Sequence, residues 1–245
     1  MGPSPLADHN PEVDMLHEIG SRLAAAGPLH EVLDRVVSLI TILVCCDSCF
    51  VYVLDDKELV LRTSKNPHPK VLDRLKLRVG QGITGWVAEH RQPVAVARDA
   101  ARDPRFRLFT ELPEDPYEAF LSVPILSRGR VVGVINLQHR LPHAHTQREI
   151  TLISTIGFLV GAGIEAARLE GEISQLSEQL QARKLVERAK GILQRELGVT
   201  EEQAYLTLRR QSRQRRKPMK EVAEAIVLSE EVRRNPKPLP PASEA

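Results

Sequence analysis

Apolar residues between Phe50 and Leu137 come in short runs broken by turn residues, while on both sides of that stretch they recur at helical intervals. This change of period restricts the chain to a mixed architecture. Phe50 to Leu54, the turn Asp55-Asp56-Lys57 and Leu59 to Thr63 predict an antiparallel hairpin. A second hairpin is expected where Phe120 to Leu126 and Val131 to Leu137 flank Ser127-Arg128-Gly129-Arg130. Val94 to Ala97 reads as a further short strand. Upstream, Val13 to Ala26 and Leu29 to Cys46 predict two helices separated by Gly27-Pro28, the second placing Leu33, Val36, Val37, Ile40 and Leu43 on one face. The expected fold class is α+β, an antiparallel sheet flanked by helices over residues 13–160.

From about Thr146 the helical pattern resumes. Ala162, Ala166, Leu169, Ile173, Leu176 and Leu180 alternate spacings of four and three, the seam of a coiled coil. Glu170, Glu172, Gln175, Glu178 and Gln179 make the rest of this helix too polar for deep burial, so a linker helix over 161–184 that zips to a second copy is expected. A single amphipathic helix lying on its own domain is the alternative. A small three-helix all-α domain follows over 185–230, and residues 1–12 and 231–245 are expected to be disordered. With 245 residues and 42% hydrophobic side chains there is material for two cores.

The longest uncharged stretch, Ile150 to Ile164, is short for a membrane span and contains Ser154, Thr155 and three glycines, so it reads as a buried helix. No secretory pattern opens the chain, and a cytoplasmic location without membrane attachment is expected. Cys45, Cys46 and Cys49 are an odd number within one short segment and do not suggest a disulfide framework. Cys46-Asp47-Ser48-Cys49 has the spacing of redox and metal sites, but core packing of small apolar thiols is the reading preferred here. His139, His143 and His145 follow the last strand around Pro142 and read as solvated loop residues, with no metal site assigned. No catalytic constellation is recognisable, so no enzyme activity and no cofactor are expected beyond a small-molecule ligand of unknown identity.

Gly80-Gln81-Gly82-Ile83-Thr84-Gly85 matches the dinucleotide fingerprint literally, but Pro93 and the next short strand follow too soon for a crossover helix. The glycines instead predict a tight turn before a short helix beginning near Thr84, with Trp86 and Val87 packing beneath it. Val79 to Ala88 with Pro93-Val94-Ala95-Val96, then Ser122-Val123-Pro124-Ile125 and Val132 to Leu137, resembles the GAF domain over roughly Val13 to Ala167. That resemblance implies a sensory role and places any ligand pocket between the sheet and the connection Arg98 to Tyr117, with Trp86, Asp99, Asp103 and Arg105 as candidate contacts. A solvated loop is the equal alternative for these residues. Some GAF domains resemble free methionine sulfoxide reductases, which gives an enzyme alternative, although the cysteines here all precede the first strand.

Arg183 to Lys220 holds twelve Lys/Arg against four Asp/Glu, while the formal net charge of the whole chain is only +2. Such a local excess calls for an anionic partner. Leu185, Val186, Ala189, Ile192, Leu193 and Leu197 form the apolar face of a helix ending at Gly198. Thr200 with Gln203 is a capping-box signal for a second helix, in which Ala204, Leu208 and Ser212 share a face. Arg209, Arg213 and Arg216 form its cationic stripe, and six of the nine residues from Arg209 to Lys217 are Lys or Arg. After Pro218, the residues Met219, Val222, Ala223, Ile226 and Val227 mark a third helix. Arg188-Ala189-Lys190-Gly191-Ile192-Leu193, Ala204-Tyr205, Leu208-Arg209 and Val222-Ala223 resemble the ANTAR domain of antitermination regulators over about Leu180 to Leu228. Ser212-Arg213 and Met219 depart from the common pattern of that family. The resemblance implies a dimer that binds paired RNA hairpins in a nascent leader so that a terminator does not form. A receiver domain usually precedes this module, and here the GAF-like half takes its place. Lys184, Arg188, Lys190, Arg209, Arg213, Arg216 and Lys217 are the expected RNA contacts, with Ala189 and Gly191 permitting close approach. A DNA-binding helix-turn-helix factor is the principal rival, but its recognition helix would open with Lys220 beside Glu221 and Glu224, which is weakly basic. A scaffold role is the third reading.

Overall fold

The computed structural model describes residues 11–24, 28–65, 71–107 and 117–234. Of the ends expected to be disordered, residues 1–10 and 235–245 lie outside these residues, whereas 11–12 and 231–234 are helical. In chain order the elements are α1 (Pro11–Ala24), α2 (Leu29–Val44), β1 (Ser48–Asp55), β2 (Glu58–Ser64), β3 (Lys76–Arg78), α3 (Gly82–His90), β4 (Val94–Val96), β5 (Ala119–Ser127), β6 (Arg130–His139), α4 (Gln147–Leu197), α5 (Glu201–Arg215) and α6 (Met219–Arg234). The chain divides into two compact units at Arg168/Leu169, and the 51-residue helix α4 belongs to both.

In the first unit, six antiparallel strands are ordered β3-β2-β1-β6-β5-β4. Both expected hairpins form. Each has a two-residue loop, and the β5–β6 turn is closed by Arg128 (φ 49°) and Gly129 (φ 74°), whose left-handed backbone matches the twist of paired strands. Strand alternation sends Cys49, Val51, Val53, Leu121, Val123, Ile125, Ile135 and Leu137 to one face, where α1, α2 and α4 cover them. Phe50, Tyr52, Phe120 and Val134 point to the other face and pack with Ile83, Val87 and Ala88 of α3. Burial on both faces explains why Phe50 to Leu54 is a continuous apolar run and not an alternating one. Strand β3 was not foreseeable, because its only apolar residue, Leu77, stands between charges.

Leu152, Ile153, Ile156, Val160 and Ile164 of α4 are buried in the helical face of this core. By length and composition α4 contains a window that passes as a membrane span, but these side chains are engaged with the sheet. Two of its glycines explain how it seats there. A Cβ at Gly161 would lie 2.3 Å from the Leu126 carbonyl oxygen, and one at Gly157 would lie 3.1 Å from that of Pro124.

The second unit is a small bundle around Ala189, Ile192, Leu193, Ala204, Leu208, Val222, Ala223 and Val227. Gly198 (φ 64°) ends α4 in the left-handed conformation that favours glycine. Thr200 then starts α5: its hydroxyl accepts from the Gln203 N–H, and the Gln203 side chain accepts from the Thr200 N–H, so two otherwise orphaned donors are satisfied. At the far end, Ser212 Oγ donates to the Lys217 carbonyl at 2.6 Å, which closes the turn into α6.

Candidate nucleic-acid interface and sensory domain

The cations of the second unit fall into three groups. Lys190, only 8% exposed, bridges Glu187 at 2.9 Å and Glu201 at 2.6 Å, so it ties α4 to the first turn of α5. Its ammonium is held protonated by those hydrogen-bonded carboxylates, and its charge is used internally. Arg188 pairs with Glu231 at 2.8 Å, Lys217 with Glu221 at 2.9 Å, and Arg233 with Glu196 at 2.9 Å, all on open surface. Exposed pairs of this kind contribute only ~0.2–1 kcal/mol, so a phosphate can displace the carboxylate at little cost. Arg209, Arg210, Arg213 and Arg216 are exposed and have no acidic partner among the described residues.

This third group is concentrated on α5 and the turn that follows. Tyr205, 41% exposed, lies one helical turn before Arg209, and Leu206 is 51% exposed beside it. The α5 face opposite the buried Ala204 and Leu208 thus offers an aromatic ring and a row of unpaired guanidiniums. Arg216 caps α5 in the left-handed conformation (φ 53°) while its N–H donates to the Arg213 and Ser212 carbonyls. Lys184 is exposed on α4.

One of the two small residues expected to permit close approach sits elsewhere. Ala189 is fully buried in the bundle core, facing its own helices. Gly191 is half-buried, and a Cβ built there meets nothing within 4 Å. Glycine costs about 0.8–1.0 kcal/mol relative to alanine within a helix. Gly191→Ala is therefore expected to raise the denaturation midpoint of the isolated chain. If the close approach belongs to a bound partner, the same variant binds more weakly, and paired melting and binding curves separate the two effects.

In the first unit the motif glycines build a backbone cradle. Gly80 (φ 83°) and Gly82 (φ 70°) make the turn, and the Gly80 N–H donates to the Gly85 carbonyl at 2.8 Å. A Cβ at Gly85 would lie 2.5 Å from the Arg78 carbonyl oxygen, so only glycine fits. Helix α3 begins at Gly82, two residues before the expected Thr84. The three separated motif segments then meet through a buried chain: Ser122 Oγ donates to Asn136 Oδ1 at 2.7 Å, and Asn136 Nδ2 donates to Thr84 Oγ1 at 2.8 Å.

Of the candidate ligand contacts, Trp86 is sandwiched among neighbours. His90 stacks on it with ring centroids 4.0 Å apart, and the Arg105 guanidinium lies 4.9 Å from its ring centroid. Arg105 is also clamped to Asp103 by two side-chain hydrogen bonds of 2.7 and 2.8 Å, which hold the Asp103 carboxyl below its usual range. Asp99 is exposed, and its N–H donates to Glu118 Oε2 at 3.1 Å. The structure brings Trp86, Asp103 and Arg105 together. Residues 108–116 of the same connection lie outside the described residues.

Cys46 and Cys49 are buried and Cys45 is exposed, all three as free thiols. Burial pushes the Cys46 and Cys49 thiols up, away from nucleophilic thiolate character. The histidines depart from expectation. His139 is the last residue of β6 and buried, not a solvated loop residue, and His143 and His145 fold back against it. Sequence spacing could not show this, because the bend at Pro142 carries no periodicity.

A GAF domain family model matches residues 26–165, more than half of the chain. The chain belongs to the GAF family. An ANTAR domain model matches residues 174–227, so an ANTAR domain follows the GAF domain. Over 76 residues the chain is 47% identical to the transcriptional regulatory protein PdtaR of Mycobacterium tuberculosis, a match covering 31% of this chain and 37% of PdtaR. The chain thus spans little more than a third of that relative's length. The GAF domain of a phosphoenolpyruvate-protein phosphotransferase from Coxiella burnetii superposes with a TM-score of 0.62 at 28% identity, covering 67% of this chain and 99% of that one. The free methionine-R-sulfoxide reductase of Neisseria meningitidis, solved with its substrate, superposes with a TM-score of 0.55 at 17% identity, covering 69% of this chain and 99% of the reductase. At that identity the likeness concerns fold alone. The chain therefore carries a GAF domain followed by an ANTAR domain, with a transcriptional regulatory protein among its relatives.

Proposed function

We propose that the chain is an antitermination regulator whose ANTAR domain grips paired RNA hairpins in a nascent leader transcript, so that the terminator cannot form. The observation that carries this reading is the selective lack of pairing on α5. Acidic residues match Arg188, Lys190, Lys217 and Arg233 elsewhere in the domain, whereas Arg209, Arg210, Arg213 and Arg216 are exposed without one. Four guanidiniums of one sign on a short face repel each other unless a polyanion neutralises them. Tyr205 beside them provides a stacking surface for a splayed loop base. Arg188, Lys184 and Lys217 extend the proposed contact surface, and Lys190 and Ala189 are left out of it because they are spent on the bundle. The GAF domain supplies control through a small-molecule effector, with Trp86, Asp103 and Arg105 at the proposed site and Asp99 at its rim. The raised, buried thiols of Cys46 and Cys49 favour a sensory over a catalytic GAF domain.

Dimerisation belongs to the same reading. Ile173, Leu176 and Leu180 are 66%, 64% and 55% exposed. A row of large apolar side chains at coiled-coil spacing is stabilised when a second helix covers it. Titration of the full chain with a double stem-loop RNA and with duplex DNA tests the proposal, with RNA binding expected to be the tighter and steeply salt-dependent. Preference for duplex DNA would support the helix-turn-helix reading instead. Ile173→Asp with Leu176→Asp is expected to convert the sedimenting species from dimer to monomer and to weaken hairpin binding with it.

A further inference from the structure

The end of β6 and the start of α4 hold a cluster of side chains that RNA binding does not use. His139, His143 and His145 lie with their candidate ligand atoms all within 4.8 Å of one another. The His139 and His143 rings stack at 4.1 Å, and the His145 ring meets them at 5.1 and 4.6 Å. His139 is 6% exposed, and its Nε2 has no hydrogen-bond partner among the described residues. Neither ring nitrogen of His145 has one either. Buried imidazole nitrogens without partners, one on His139 and two on His145, are costly, because each forfeits its hydrogen bond to water. Burial and the neighbouring imidazoles push the His145 ring down to about 4 and lower that of His139.

The backbone holds this arrangement in place. His139 pairs across the sheet with Ala119, and its carbonyl accepts from the Glu118 N–H at 2.9 Å. The His143 N–H donates to the Ala97 carbonyl at 2.9 Å. His145 precedes Thr146, whose hydroxyl accepts from the Glu149 N–H while Glu149 Oε2 accepts from the Thr146 N–H, a reciprocal cap that fixes the first turn of α4. The same carboxylate reaches His143, with Oε1 at 3.1 Å from Nε2. A carboxylate on one imidazole nitrogen orients the ring and raises the basicity of the other, the outer support found behind metal-bound histidines. Asp47 Oδ2 accepts from the Arg140 N–H at 2.8 Å, and its charge acts on His139.

We propose that His139, His143 and His145 form a binding site for one divalent transition-metal ion of the zinc class, with Glu149 as the outer-shell carboxylate on His143. Neutral imidazoles are preferred ligands for zinc, nickel, cobalt and copper and poor ones for magnesium or calcium. Nitrogens bound to one zinc at 2.0–2.1 Å lie about 3.3 Å apart in tetrahedral geometry, so candidate atoms already within 4.8 Å of one another need to close by only about 1.5 Å or less. Nε2 of His143 is engaged by Glu149, which leaves Nδ1 of that residue as its ligating atom. A bound ion joins the end of β6 to the first turn of α4 and stabilises the GAF domain by mass action. The inference does not depend on what the ANTAR domain binds.

The test uses the full chain without a histidine tag, freed of metal with a chelator and titrated with zinc chloride against a chromophoric competitor. One equivalent per chain is expected, accompanied by a rise in melting temperature. Cobalt(II) substitution is expected to give visible d–d bands without a thiolate charge-transfer band in the near ultraviolet. His143→Gln with His145→Gln, both half-exposed positions, is expected to remove zinc binding with the circular dichroism spectrum unchanged. Glu149→Gln is expected to weaken it by about 10–100-fold. Failure of the wild-type chain to retain zinc overturns the proposal. So does a thiolate band that survives in the histidine variant, because the ion then belongs to Cys45, Cys46 and Cys49. The cobalt spectrum of the wild-type chain reads the ligand set even if the variant does not fold.

Discussion

Hairpin RNA binding is expected to disappear when Arg209 and Arg213 are both replaced by glutamate. Each guanidinium lost from a phosphate removes a charge-assisted hydrogen bond of about 1.5–3 kcal/mol. The pair together amounts to about 3–6 kcal/mol, a loss of ~100-fold or more in affinity, and the new carboxylates repel the backbone besides. Stability is touched much less. Both side chains are exposed, neither has an acidic partner to lose among the described residues, and only Arg213 lies in the last turn of α5, where charge reversal costs ~0.3–1 kcal/mol through the helix dipole. Affinity and fold are thereby separated in one variant, read by fluorescence anisotropy on a labelled stem-loop and by circular dichroism. The slope of log affinity against log salt is also expected to become shallower by about one unit for each phosphate contact removed. Wild-type affinity in the charge-reversed chain would take this face of α5 out of the interface.

What was readable beforehand follows the range of the interactions. The hairpins around Asp56 and Gly129, the stop at Gly198 and the cap at Thr200 are each decided within a few residues, and each is where the sequence puts it. The free arginines of α5 were readable for a related reason: six cations in nine residues outnumber any acids that neighbouring turns supply. The internal pairing of Lys190 is not legible in the sequence, because only one of its partners is local. Glu187 is one turn away, whereas Glu201 reaches it only after the chain has reversed at Gly198. Ala189 looked like a small residue admitting a partner and is a small residue admitting its own bundle. The histidines show the limit most plainly. Their convergence requires β6 to end at His139, the Ala97 carbonyl to hold His143, and Glu149 to rise from the next helix, and none of these has a periodic signature.

Gly161→Ala is expected to be the most damaging small substitution in α4, against the ordinary rule for helices. Alanine in place of a helical glycine is normally stabilising by about 1 kcal/mol. Here the added Cβ would lie 2.3 Å from the Leu126 carbonyl oxygen, 2.9 Å from its carbon and 3.2 Å from Ile125 Cγ2. The first two are backbone atoms of β5, held where Leu126 pairs with Val131 of β6, so they cannot rotate away as a side chain would. Overpacking of this kind costs about 1–3 kcal/mol or more, because α4 must lift and the contacts of Ile153, Ile156, Val160 and Ile164 loosen together. Overpacking therefore outweighs propensity, with a fall in melting temperature of roughly 2–4 °C for each kcal/mol in a domain of this size. Gly157 provides the internal comparison, since its Cβ would lie 3.1 Å from the Pro124 carbonyl oxygen and an adjustment of a few tenths of an ångström suffices. Gly157→Ala is expected to be close to neutral, the gain in propensity offsetting the strain. Chemical denaturation of the two variants reads the ranking directly. Equal stability of Gly161→Ala and the parent would mean that α4 does not rest on β5 at this distance, and the explanation for its glycines would fall with it.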